Sequence, residues 1–250
     1  MNYQTGVASV TFRGVGVNHV VKLAKNAGLD GIEWAGDVHV PCGNLKTAKK
    51  VQSITKEAGL SIISYGSYFR LGVQRAEDIE YYLQAAQTLG APIMRIWGGN
   101  KSSVMYTKEE RSLLISQAKQ IAARAEAYGI TLGFECHDST ITDDYAFVKQ
   151  FLDEVGSPYL KTYWQPNRFR DFSYNLEALK ALAPDVICVH VQRWAGDTRF
   201  FLHEFQDEWE QYTAVLKAAG ADYKFILEFL PECSGAWLNS EAETLRALLK

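Results

Sequence analysis

Cysteine is scarce and scattered in this chain. The four, Cys42, Cys136, Cys188 and Cys233, include no Cys-x-x-Cys pair, so neither a zinc knuckle nor a disulfide framework is implied. Unpaired thiols suit a reducing compartment. Long hydrophobic runs are missing too, none approaching the ~18 residues that span a bilayer. The opening MNYQTGVASVTFRG has neither the basic start nor the apolar stretch of a secretory signal. Charge of one sign is also lacking: 26 Lys and Arg against 29 Asp and Glu leave a formal net charge of −3, which gives no electrostatic reason for a nucleic-acid partner. No linker, low-complexity stretch or charge run divides the 250 residues. One domain over 1–250 is expected, in a cytoplasmic protein with neither membrane nor nucleic acid as partner.

What is present is an alternation. Hydrophobic residues make up 47% of the chain, ample for a large core. Eight short apolar runs stand out: VASVTFR from Val7, GIEWA from Gly31, LSIISYGS from Leu60, PIMRIWGG from Pro92, ITLGFECH from Ile130, LKTYWQPN from Leu160, VICVHVQRW from Val186 and KFILEFL from Lys224. Between them lie segments of helical period, many stopped by Gly (Gly28, Gly59, Gly90, Gly129, Gly156, Gly220). The last helix is expected to start at a Ser240 cap with Glu243 three residues on. Eight βα units require parallel strands with right-handed crossovers. The rival is an open doubly wound sheet, but no Gly-x-Gly-x-x-Gly follows the first run. The fold class predicted is α/β: a (β/α)₈ TIM barrel, eight parallel strands ringed by helices.

The mouth of such a barrel, at the C-terminal ends of the strands, is where chemistry sits. Four successive runs place polar groups there: Glu135 with His137 two residues later, then Gln165, His190 and Glu228. Any one of them has a structural explanation, a pairing with a cation or a backbone hydrogen bond. Four at matching depth point instead to a bound divalent ion, because buried carboxylates need compensation. Two Glu oxygens, a Gln carbonyl and an imidazole nitrogen make a mostly oxygen shell suited to Mn²⁺, Mg²⁺ or Co²⁺, with Zn²⁺ left open. His39, Trp97, His137, Arg168 and Arg193 are candidates for substrate binding. Tyr65 is either an aromatic platform or core, Glu33 either faces the interior or pairs with Arg95, and His19 and His203 read as surface.

These residues resemble the xylose-isomerase-like barrel superfamily, in particular its sugar phosphate isomerase/epimerase branch. The resemblance spans the chain and is strongest in GLDGIEWAGDVHVP, in FECHDSTITDD and in the Glu, Gln, His, Glu order over the last four runs. It implies that Glu135, Gln165, His190 and Glu228 hold one metal ion, and that Glu135 and Glu228 also exchange protons with the substrate. It further implies an isomerase or epimerase of a small sugar or sugar phosphate, acting through an enediolate. A metal-dependent dehydratase or lyase on a keto-sugar or polyol acid, and a sugar-binding barrel without turnover, are the alternatives; self-association stays open. Gln165 departs from the family pattern, which has Asp there, and Arg168 stands where tagatose-epimerase-like members have His.

Overall fold

The computed structural model describes residues 3–250. Its strands are β1 (Gln4–Ala8), β2 (Gly31–Ala35), β3 (Ser61–Leu71), β4 (Ile93–Gly98), β5 (Thr131–Glu135), β6 (Leu160–Trp164), β7 (Val186–Val191), β8 (Trp194–Ala195), β9 (Thr198–Arg199) and β10 (Lys224–Leu227). β1 to β7 and β10 close into a parallel barrel in chain order, β10 returning to pair with β1. This is the TIM barrel that the eight apolar runs predict. β8 and β9 form an antiparallel hairpin in the loop after β7.

The helices are α1 (Val17–Asn26), α2 (Leu45–Glu57), α3 (Ile79–Leu89), α4 (Lys108–Tyr128), α5 (Tyr145–Val155), α6 (Phe172–Leu182), α7 (Gln206–Ala219) and α8 (Leu238–Leu248). Their ends follow local chemistry. Thr107 and Glu110 make a reciprocal capping box at the start of α4. Gly90 and Gly129 stop α3 and α4 at φ 84° and 65°, a left-handed turn that a side chain would resist. Among the described residues, no helix is long and apolar enough to cross a membrane.

Two boundaries differ from the sequence expectation. The first run does not continue as strand past Ala8, because Ser9–Phe12 turn into a 3-10 helix. There the Ser9 hydroxyl accepts from the Ala35 amide at 2.8 Å and Thr11 from that of Phe229 at 2.9 Å, so side chains replace ladder bonds. At the other end, α8 begins at Leu238, and Ser240 lies inside its first turn, donating to Trp237 O at 2.9 Å. Ser240 is therefore not its cap.

Among the described residues, two apolar clusters hold the architecture together. A large one joins the strands to the helices around them. A small one (Ala8, Val10, Ala35, Ile63, Ile93, Tyr163, Cys188 and Ile226) fills the barrel. Gly133 makes room for the Tyr163 ring, which a Cβ there would meet at 2.5 Å. The barrel is thus plugged from within and offers its chemistry only above this layer.

Candidate metal centre at the barrel mouth

Strand side chains alternate between faces, so each inward apolar residue predicts another inward residue two positions on. Ile93 leads to Arg95, Gly133 to Glu135, Tyr163 to Gln165, Cys188 to His190 and Ile226 to Glu228. β2 adds Glu33. Glu33, Arg95, Glu135, His190 and Glu228 are each at most 3% exposed, so their charges must be answered by one another rather than by water.

Arg95 sits between two carboxylates. Its Nε is 3.3 Å from Glu33 Oε1, and its Nη1 pairs with Glu135 Oε2. Gly66 leaves room for this pairing: a Cβ there would stand 2.9 Å from Arg95 Nη2 and 3.2 Å from Glu33 Oε1. Ser64 donates to Glu33 Oε2 at 2.6 Å. The His190 ring faces oxygens on both edges. Its Nε2 is 3.3 Å from Glu33 Oε1, and its Nδ1 is 3.0 Å from Gln165 Oε1, 3.2 Å from Glu228 Oε2 and 3.8 Å from Glu135 Oε1. Gln165 donates through Nε2 to Cys136 O at 2.9 Å, which turns its carbonyl oxygen inward, where it also accepts from Gln192 Nε2 at 3.0 Å.

Three carboxylates thus face one guanidinium, and the imbalance falls on His190. Burial opposes its charge, but Glu228 and then Glu33 outweigh burial and push its pKa from 6.5 up to about 10. Burial likewise disfavours charge on Glu33, yet Arg95 and His190 draw its pKa from 4.5 down to about 2. The two signs give opposite windows. The raised histidine contributes stability in full below its ordinary value of 6.5 and loses it as pH climbs through about 10. The depressed glutamate contributes above 4.5 and loses it as pH falls toward about 2. Melting temperatures of chelator-treated protein should therefore fall on both flanks. His190→Gln should flatten the alkaline flank, and an unchanged slope in that variant would remove the assignment.

Above these groups lies a cavity of about 270 Å³, with Glu135, Gln165 and Glu228 on its wall, near the small end of the range for ligand pockets. His137, Arg168 and Trp194 also line it. The His137 Nδ1 stands 2.8 Å from Asp138 O. Arg168 holds Asp138 at 3.7 Å and Asp197, in the turn of the β8–β9 hairpin, at 3.3 Å. The cavity therefore has a carboxylate floor and a rim of mixed charge.

Other candidates lie elsewhere. His39 is buried, its Nε2 3.0 Å from Val15 O and its ring edge-on to Trp34, and it is not on the cavity wall: these contacts pack it among the loops. Arg193 turns away to α7, 3.3 Å from Glu208 Oε2 and stacked over Phe205. Trp97 stands behind His137 at 4.5 Å between ring centres, with the Arg70 guanidinium over its face, and does not line the cavity. Tyr65 is core, donating to Val40 O. His19 and His203 are exposed. Arg95's contact with Glu135 was missed from sequence. Its signal was a cation inside the apolar run PIMRIWGG, which demands carboxylate partners. Gln192, two residues past His190 and on the cavity wall, was missed as well.

The donor set fits a divalent cation. Donor atoms about 2.1 Å from one ion stand roughly 3 Å from each other, a spacing that Gln165 Oε1 and Glu228 Oε2 have from His190 Nδ1, with Glu135 Oε1 farther out at 3.8 Å. Among the described residues Glu228 Oε2 is buried without a hydrogen bond, 3.2 Å from His190 Nδ1, so a cation placed there would satisfy it. Glu33, His190 and Glu228 also bring ligand atoms within 4.8 Å of one another. Glu33, however, faces the opposite edge of the imidazole from the Gln165, Glu228 and Glu135 oxygens.

Comparison with known proteins agrees with this architecture. A 3-dehydroshikimate dehydratase of Bacillus anthracis is 22% identical over 170 residues, 64% of this chain and 60% of that protein's length. The crystal structure of the probable 3-DHS dehydratase AsbF from Bacillus anthracis superposes with a TM-score of 0.78 at 18% identity, covering 98% of this chain and 99% of that one. D-allulose 3-epimerase from Methylomonas sp. gives 0.74 at 14% identity, over 99% and 98% of the two chains. The IOLI protein, solved with a bound zinc atom, gives 0.75 at 14%, over 98% and 96%. The profile of the xylose isomerase-like TIM barrel matches residues 21–249, most of the sequence. The chain belongs to that family.

Proposed function

We propose that this protein is a divalent-metal-dependent enzyme that moves a proton at a carbon next to a carbonyl, isomerising or epimerising a small sugar or sugar phosphate. The observation that carries this reading is the convergence of Glu135, Gln165 and Glu228 oxygens on His190 Nδ1 beneath a cavity. Glu135, Gln165, His190 and Glu228 would hold the ion. When bound, it supplies Lewis-acid polarisation of the substrate's carbonyl and neighbouring hydroxyl oxygens. Glu228, whose Oε2 has no hydrogen-bond partner, removes the proton. Glu135, held across the floor by Arg95, enters the cycle protonated and delivers that proton from its own side of the cavity, either to the opposite face or to the adjacent carbon. Loss of a proton from Glu228 to solvent and uptake of one by Glu135 then reset the pair. Plugging of the barrel below and partial enclosure above limit water at the carbanionic stage. The bound zinc of the IOLI protein supports the metal assignment, and the Methylomonas epimerase supports the reaction class.

Dehydration is the second reading, favoured by the Bacillus anthracis dehydratases. It shares the proton abstraction and differs afterwards: the C–H pair forms a C=C bond, and the β-hydroxyl leaves with a proton as water. Incubating ketoses, keto-sugars and their phosphates in D₂O with Mn²⁺ tests both. Deuterium at the carbon next to the carbonyl is the expected result, and loss of water separates the second reading from the first. The absence of both exchange and loss of water for every one of them, with Mn²⁺ shown to be bound, would leave only a sugar-binding barrel.

Gln165 gives a graded test of the ligand set. Gln165→Asp should bind Mn²⁺ more tightly by about 1–3 kcal/mol, from one added charge at intermediate dielectric; the shorter side chain works against this gain. Gln165→Leu should bind more weakly. Titration calorimetry on the three proteins decides, and equal affinities would take Gln165 out of the shell.

A further inference from the structure

His190 offers two nitrogens to two sets of oxygens. Nδ1 faces Gln165, Glu228 and Glu135, the groups that open onto the cavity. Nε2 has no hydrogen-bond partner, and its nearest carboxylate oxygen is Glu33 Oε1 at 3.3 Å. A neutral imidazole carries its proton on one nitrogen and its lone pair on the other, and the partner of the first decides which nitrogen can bind a metal.

We propose that Glu33 is the positioning residue that makes this choice, holding the proton on Nε2 so that Nδ1 presents its lone pair to the cavity side. The inference rests on the metal-dependent reading above. Glu33 lies beneath the cavity rather than on its wall, so it acts through another residue and not on substrate. It is itself held on rigid strands: Ser64 donates to its Oε2 at 2.6 Å, and Arg95 Nε stands 3.3 Å from its Oε1 in space that Gly66 leaves free. The Tyr163 ring meets His190 edge-on at 5.1 Å and 68°, which limits the ring flip that would exchange the two nitrogens. Arg95 extends the same frame to Glu135. One buried carboxylate on β2 thereby orients the histidine of β7 and, through Arg95, the glutamate of β5.

Zinc is the probe, being diamagnetic and suited to imidazole. In ¹⁵N spectra of zinc-loaded wild type, zinc should displace the His190 Nδ1 resonance while Nε2 keeps its proton. Glu33→Leu should weaken zinc binding by about 10–100-fold, as loss of such an outer partner commonly does, and speed exchange of the Nε2 proton. Glu33→Gln keeps an acceptor and should recover most of the affinity, with a shifted Nε2–H resonance. A purely structural salt bridge would lower the melting temperature of the variants without moving the nitrogen resonances. Coordination through Nε2 in wild type overturns the proposal. So does a folded Glu33→Leu protein that binds zinc within about twofold of wild type. If Glu33→Leu does not fold, an unmoved Nε2–H resonance in Glu33→Gln overturns it equally. Failure of wild type to bind zinc at all removes the metal reading itself, a different result from zinc held by the wrong nitrogen.

Discussion

Glu228→Gln is expected to lower turnover by about 10²–10⁴-fold, the usual contribution of a positioned acid or base, while the barrel stays folded. The carboxylate is 2% exposed, and its Oε2 has no hydrogen-bond partner. The amide has the same shape but cannot take up a proton, and it offers the ion a neutral oxygen. Arg95 keeps its carboxylates Glu33 and Glu135. His190 keeps Glu33 against its other edge but loses Glu228, its main compensating charge, so the cost to stability should be modest and confined to the metal-free protein. Deuterium incorporation from D₂O at saturating Mn²⁺, read beside circular dichroism and melting, separates lost chemistry from lost structure. Activity above about a tenth of wild type would exclude Glu228 as the base. Glu135→Gln should differ in kind, losing activity and stability together, since it takes a buried partner from Arg95.

Arg95→Leu is expected to carry the largest stability loss of any substitution in the site, about 3–5 kcal/mol, or a fall in Tm on the order of 10 °C for a chain of this size. Removing the guanidinium leaves Glu33 and Glu135 buried with their main compensating charge gone. The loss arises from the stranded carboxylates more than from the contact itself. Arg95→Leu combined with Glu135→Gln should therefore be more stable than the sum of the two single losses. Additive losses in the double variant, followed by denaturant unfolding, would show that Arg95 and Glu135 do not act as a pair.

The two kinds of site residue were unequally legible in the sequence. Glu135, Gln165, His190 and Glu228 each stand out as a polar residue at the end of an apolar run, and strand alternation sets their depth. His39 and Arg193 lie in loops, where no period constrains direction; local partners decided them, the Val15 carbonyl for one and Glu208 with Phe205 for the other. Glu33 and Arg95 were legible as a pair, but the further reach of Arg95 to Glu135, 40 residues away, depends on how a closed barrel turns its strands toward a common axis. The start of α8 was misread because Ser240 and Glu243 satisfy a capping pattern that the helix, already begun at Leu238, does not use.

By itself, the sequence determined the barrel and the depth of its polar layer. Strand and helix periods, together with the stops between them, are local properties, and eight parallel strands with short connections have few ways to close. The tertiary structure alone decided the grouping within that layer. It placed Glu33 against one edge of His190 and the oxygens of Gln165, Glu228 and Glu135 against the other, and it put Arg95 between two carboxylates. Those partnerships join strands far apart in the chain, and burial makes them obligatory: a charge excluded from water must find its counterpart across the barrel, wherever closure brings one within reach.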